Sequence, residues 1–251
     1  MNSTLLLSTF DKIIRDWPYV VELFQKGEIA AALGITVWMV LLSVTFSYVL
    51  GLPVGIILYV TDKTGIKPNV VVNKILGVIV NIFRSIPFII LMVAFLPVAK
   101  SLVGKSYGNA AMVVMLVIGA APYVARMVES SLKEVDKGVI EAAQSLGANT
   151  FQIIVKVLLP EARPSLMIGA IISTVTVIGY TAMAATIGGA GLGALAITQG
   201  HLRGHQAVIW TAVVLIVLIV QLIQEGGMWL VKKTDRRVRN ENKRNKAQKN
   251  K

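Results

Sequence analysis

The chain has no cysteine, two histidines, and only 13 acidic residues against 25 Lys and Arg in 251 positions. The missing cysteine excludes disulfides, thiol nucleophiles and thiolate metal sites, and it leaves the redox compartment open. The two histidines, His201 and His205, stand four apart, a spacing that can place both imidazoles on one helical face. No acid lies between Glu161 and Glu225, so a local third ligand is lacking and a solvated loop is expected there instead of a metal site. Nucleotide chemistry is also missing. Gly104-Lys105-Ser106 mimics the end of a P-loop, but Ala99 stands where the motif needs its first glycine. Gly191-x-Gly193-x-x-Ala196 is a weak dinucleotide-like match with no strand or βαβ pattern around it, and its glycines are read as allowing a tight re-entry or close helix approach.

Apolar length is what the sequence has in abundance. It is 55% hydrophobic and 15% charged, with a mean hydropathy of +0.71, the composition of a membrane protein. A hydrocarbon core needs about 20 apolar residues of helix, and five regions qualify: 29–60, 75–99, 108–127, 165–187 and 207–231. The fifth is the cleanest, with twelve Val, Ile or Leu between 207 and 223. These are worth roughly −4 to −7 kcal/mol on insertion scales. The second is interrupted by Asn81, Arg84, Ser85 and Pro87, and a mid-bilayer arginine costs about 2.5–3.5 kcal/mol. Its first half is expected to be buried in protein or to lie near an interface.

With five spans and the C-terminus inside, the inner segments carry eighteen Lys and Arg and the outer ones six; without the last twenty residues the bias is eight to six. The positive-inside rule therefore predicts N-out, C-in. Residues 1–28 form an outer leader lacking the basic n-region and apolar length of a cleaved signal. Trp17, Val20, Val21 and Phe24 recur there at helical spacing, as in an amphipathic segment on the membrane surface, although a plain polar leader fits as well. Residues 29–231 form the transmembrane domain. From 232 to 251 runs a tail of ten basic and two acidic residues, expected to lie on anionic lipid and not to bind nucleic acid.

Between the third and fourth spans lies a polar cytoplasmic insert, residues 138–164. Val139, Ala142, Ala143 and Leu146 recur at helical spacing, Gly147 can end that helix, and Asn149 or Thr150 can cap a second one running to Leu159 before Pro160. Ala142, Ala143 and Gly147 leave the corner nearly bare, so another protein's surface can approach the backbone. A loop lying on headgroups is the alternative.

Glu141-Ala142-Ala143, three residues, Gly147, nine residues and Val157-Leu158-Leu159-Pro160 resemble the EAA signature of bacterial ABC-importer permeases, with Val157 replacing the usual isoleucine. The stretches 51–61, 80–93, 119–129, 179–197 and 222–231 are similar to the methionine-importer permeases, more than to generic polar amino-acid permeases. The resemblance implies an all-α membrane protein of the type I importer class, with five transmembrane helices and a cytoplasmic coupling helix. It implies a non-enzymatic permease subunit in the bacterial cytoplasmic membrane, forming a homodimer and importing methionine, with the L or D form left open. ATP would be hydrolysed by a separate ATP-binding cassette subunit docked on Glu141, Ala142, Ala143, Gly147 and Pro160. An extracellular binding protein would deliver the substrate, and no cofactor is expected in this chain.

Ser165, Gly169 and Ser173, followed by Gly179, Ala182, Ala184 and Ala185, permit close helix contact at a dimer seam or simply within one subunit. Tyr180 and Met183, three apart, are candidates for the translocation path, where an aromatic ring and a thioether suit a sulfur-containing amino acid. Arg84 has either a gating role or a local one, snorkelling or pairing with an acid such as Glu129. No acid lies in the middle of a span, which disfavours proton coupling; sodium coupling through backbone carbonyls stays open. A permease for another small substrate, a secondary carrier and a membrane scaffold remain the alternatives.

Overall fold

The computed structural model describes residues 3–234, with side chains from Phe10 onward. The predicted tail lies outside the described residues from position 235.

All described elements are helical. Helix α1 (Ser3–Gln25) ends at Lys26-Gly27, where Gly27 takes a positive φ, and α2 (Glu28–Thr61) follows as the first span. The second region is not one straight helix. It divides into α3 (Val70–Ser85) and α4 (Phe88–Ala94), bent by 105°. Pro87 has no N–H and pushes Ile86 out of the helical region, so the break falls where the sequence is least able to continue a helix. Helix α5 (Leu96–Val103) closes on Gly104 in the left-handed conformation. The remaining long helices are α6 (Gly108–Lys133), α9 (Leu159–Thr181) and α11 (Gln206–Thr234). Among the described residues four helical stretches are long and apolar enough to cross a membrane, and a fifth crossing results if the bent pair counts as one.

Two compact units are built from these pieces. Of the described residues, one takes those up to Ser47, Ile86–Ala120 and Thr174–Gln221; the other takes Tyr48–Ser85, Ala121–Ser173 and those from Leu222 onward. In the first, the glycine run between α9 and the short α10 (Leu192–Leu195) is a closely fitted turn. Thr36 Oγ1 accepts from the Leu192 amide at 2.8 Å, and Asn109 Oδ1 accepts from the Ala190 amide at 2.6 Å. A Cβ on Gly193 would fall 2.3 Å from Ala182 Cα, so backbone meets backbone there. The close helix approach expected from the glycines is what forms, and the two amides are already satisfied by side chains.

In the second unit α2 and α6 approach through Gly51 and Gly55. Lipid tails give helices no hydrophobic reason to associate, so contact depends on close packing of small residues. A Cβ on Gly55 would fall 2.5 Å from the Ala125 carbonyl oxygen and 2.6 Å from Val128 Cβ. Gly55→Leu is therefore expected to cost about 1–3 kcal/mol by overpacking, seen as a lower unfolding midpoint in detergent. Gly34→Ala, where a Cβ meets nothing within 4 Å, is the control expected to leave the midpoint unchanged.

Candidate functional site

The polar insert folds as a helix, a glycine corner and a second helix. Asp136 caps α7 (Lys137–Ser145), its Oδ1 accepting from the Gly138 amide at 2.7 Å. Gly147 has φ +78°, which places the Gly147 and Ala148 amides on the Gln144 and Ala143 carbonyls at 2.9 and 3.1 Å. Asn149 then opens α8 (Thr150–Ile153) with a reciprocal capping box: Asn149 Oδ1 accepts from the Gln152 amide at 2.9 Å, and Gln152 Oε1 accepts from the Asn149 amide at 3.0 Å. Of the two cap candidates, Asn149 is the one used.

The second helix does not stop before Pro160. It continues through a π turn, Ile154–Leu158, into α9, which carries Pro160 in its first turn and Pro164 inside. The wider turn is the physical reason. The Leu159 amide reaches back to the Ile154 carbonyl, so the bonding pattern has already shifted when the proline arrives without a donor. Pro160 thus joins the insert rigidly to a span instead of separating the two.

Burial divides the insert differently from its apolar periodicity. Ile140 is buried with Val128, Leu132, Ile153 and Leu158, and Ala143 packs against that cluster. Val139, Ala142 and Leu146 face outward, Leu146 at 89% exposure and Phe151 beside the corner at 73%. Glu141 lines a groove of about 200 Å³ with Lys137, Gln144, Tyr59 and the 64–66 loop. The periodic stripe is therefore largely presented to the outside, and Leu146 and Phe151 are the largest exposed apolar side chains at the corner. The second was missed because it follows the cap and breaks the period of the first helix.

Behind the insert lies an ionic network that the sequence reading did not assemble. Glu129, 5% exposed, accepts from Arg126 Nη1 at 2.5 Å and from Lys133 Nζ at 2.8 Å. Lys133 also reaches Asp62 at 3.1 Å. Arg126 Nη2 continues to Asn81 Oδ1 at 3.0 Å and the Gly77 carbonyl at 3.3 Å on α3. The Thr64 amide, and after it Lys133, hold the Asp62 carboxyl below the usual carboxylate range. Arg84 takes no part: Glu129 is held by Arg126 and Lys133, and Arg84 is exposed on the last turn of α3. Of the alternatives for Arg84, pairing with Glu129 is not what forms. The i, i+3 and i, i+4 spacing of Arg126, Glu129 and Lys133 was the available signal.

Tyr180, at the end of α9, is half-buried and stacks on Phe88 with ring centroids 4.4 Å apart and planes 5° from parallel. Met183 lies in the 3₁₀ turn that follows, Ala182–Ile187, and its carbonyl accepts from Thr186 Oγ1 at 2.6 Å. Of the small-residue stripe, Gly169 packs within the chain, its Cβ position 3.3 Å from Met127 Cε, and the buried Ser173 donates to the Gly169 carbonyl. Ser165 donates to Ser131 at 3.1 Å on the wall of a cavity of about 380 Å³ that also holds Glu134 and Glu161. The two histidines separate at Gly204, φ +80°: His201 is exposed and His205 stacks on Tyr19. Among the described residues no three His, Asp or Glu are grouped to hold a metal.

The comparisons with known proteins fit this arrangement. The chain is 47% identical over 202 residues, 80% of its length and 90% of the relative's, to the probable D-methionine transport system permease protein MetI of Vibrio cholerae. It is 46% identical over 181 residues, 72% of its length and 82% of the relative's, to the methionine import system permease protein MetP of Bacillus subtilis. A solved structure described as inward-facing conformations of the MetNI methionine ABC transporter matches with a TM-score of 0.81 and 43% identity, over 82% of this chain and 96% of that one. An amino acid ABC transporter, 18% identical with a TM-score of 0.70, over 85% of this chain and 97% of that one, shares the fold. The family model for binding-protein-dependent transport system inner membrane components matches residues 51–240, and the chain belongs to that family.

Proposed function

We propose that the chain is the membrane-spanning permease subunit of an ATP-driven methionine importer, working by alternating access. The observation that carries this reading is the corner at Gly147, where a rigid helix–glycine–helix unit presents Leu146 and Phe151 outward and is continuous through Pro160 with a span. Such a unit can take a push from a docked protein and pass it into the membrane. The names of the relatives supply the substrate, methionine.

On this reading ATP is hydrolysed by a separate cassette subunit seated on Glu141, Ala142, Ala143 and Gly147. Two copies of the chain enclose the path, with Tyr180 and Met183 along it, and a delivery protein meets the outer side. The Lys and Arg distribution supports an outer N-terminus and an inner C-terminus. Residues 29–231 serve as the permease domain and 138–164 as its docking loop.

Co-purification with the partner ATPase, followed by ATPase assay against a panel of amino acids with the delivery protein present, tests the reading. Hydrolysis stimulated by methionine is expected. Gly147→Val forces a β-branched residue into the left-handed region, a strain of about 1–3 kcal/mol, and Leu146→Asp removes the most exposed apolar side chain. Both are expected to lower ATPase co-purification several-fold while the permease still inserts. Normal co-purification by both variants would favour a loop lying on headgroups.

A further inference from the structure

The described side chains of helix α1 form two apolar faces, and among the described residues one of them packs against the rest of the chain. The docked face is set by Val20 and Leu23, which pack with Ile29, Ala207 and Val208. Asp16, 9% exposed, accepts at Oδ2 from the Gln206 amide at 3.0 Å and so caps the start of α11 from another helix. Tyr19 stacks on His205 at 3.9 Å and donates to Gln199 Oε1 at 3.0 Å. The second face is a stripe of Phe10, Ile14, Trp17, Val21 and Phe24, between 41% and 71% exposed. Their spacing of four, three, four and three keeps them on one side at roughly 100° per residue. The same count puts Asp11, Arg15, Glu22 and Lys26 on the side away from the stripe, with the docked face between.

We infer that this stripe lies in the membrane surface, with α1 flat at the boundary between headgroups and acyl chains. The height follows from what α1 touches. Ile29 and Ala207 stand in the first turns of α2 and α11, the two most hydropathic spans, and such helices begin where the hydrocarbon begins. Crossing is excluded for α1 itself: Asp11, Lys12, Arg15 and Asp16 fall in its middle, and Pro18 leaves the Ile14 carbonyl without its helical donor. At the boundary that carbonyl can be hydrated while the stripe below is covered by lipid. The stripe is also continuous in character with the lipid-facing sides of the two spans, where Trp210 is exposed near the start of α11 and Trp38 on α2. The occupant is therefore the bilayer. The Lys and Arg distribution makes it the outer leaflet, and only that choice of leaflet rests on the proposed orientation.

Because the native chain has no cysteine, single cysteines carrying a nitroxide can be placed on the full-length protein in vesicles of phosphatidylethanolamine and phosphatidylglycerol. At Ile14 and Val21 collisions with oxygen are expected to exceed those with a water-soluble nickel complex several-fold, and at Asp11 and Glu22 the order is expected to reverse. In a second measurement Trp38, Trp210 and Trp229 are replaced by phenylalanine, leaving Trp17 as the reporter. Lipids brominated on the acyl chain should quench it and acrylamide should not. Nickel access at Ile14 and Val21 equal to that at Glu22 would overturn the inference. So would exclusion of both oxygen and nickel at the stripe combined with crosslinking of Val21→Cys between copies, which would assign the face to a second copy. Neither measurement needs import activity, so their failure and the failure of the proposed function are separable.

Discussion

Methionine uptake by vesicles carrying the assembled importer is expected to fall to the level of empty vesicles when the partner ATPase is inactivated, and a proton or sodium gradient is not expected to restore it. Among the described residues the buried carboxylates are Asp16 and Glu129. Asp16 is committed to the start of α11, and Glu129 is held between two cations at 2.5 and 2.8 Å. A proton-driven carrier needs a membrane acid free to gain and lose its proton during the cycle, and both of these carboxylates are already engaged within the chain. On the proposed reading the energy comes from the partner ATPase. In the glycine run the Ala190 and Leu192 amides are taken up by Asn109 and Thr36. Uptake that persists with a dead ATPase and follows an imposed gradient would overturn the permease reading in favour of a secondary carrier. On the proposed reading the substrate meets the path only in transit, and Tyr180 and Met183 then have no need to bind it tightly.

The parts legible in the sequence were those set by local rules. Apolar length located the spans, and Gly147 with Asn149 marked the corner because a left-handed glycine and an N-cap have few substitutes. Pro160 misled because a proline normally ends a helix, whereas here a π turn had already changed the bonding pattern ahead of it. The outward turn of Leu146 and the burial of Ile140 depend on which side of α7 meets the cluster around Val128 and Leu132. Periodicity alone gives a face but not its direction. The second face of α1 was half visible: Trp17, Val21 and Phe24 stood in the expected amphipathic segment, but Val20 belongs to the docked side. The two faces separate only when Ala207 and Val208, nearly two hundred residues away, are brought against the helix. The ionic network needed the same kind of long-range information, since Asp62, Asn81 and Glu129 come from three different helices or their ends.

Removing one member of that network is expected to have the largest effect on the folded chain. Glu129→Leu leaves Arg126, 26% exposed, facing a low-dielectric region without its carboxylate, a change worth about 3–5 kcal/mol when a buried pair is broken from one side. Arg126→Met together with Glu129→Leu removes both charges and replaces them with apolar side chains of similar size, and much of the lost stability should return. Uptake should not return with it. Helix α3 exposes Val71, Ile75, Ile79 and Ile82 and meets α6 through a small apolar contact, Val80 with Ala125, and through the Arg126 bonds to Asn81 and the Gly77 carbonyl, so losing those bonds is expected to loosen it. Asn81→Leu should reproduce the functional defect with near-normal stability, because Asn81 is itself exposed. Asn81→Asp should preserve uptake, because a carboxylate still accepts from the guanidinium. Unfolding midpoints in detergent and uptake rates measured on the same four variants separate the two roles. Normal uptake by a stable Arg126→Met/Glu129→Leu chain would show that the tie between α6 and α3 is not used in transport.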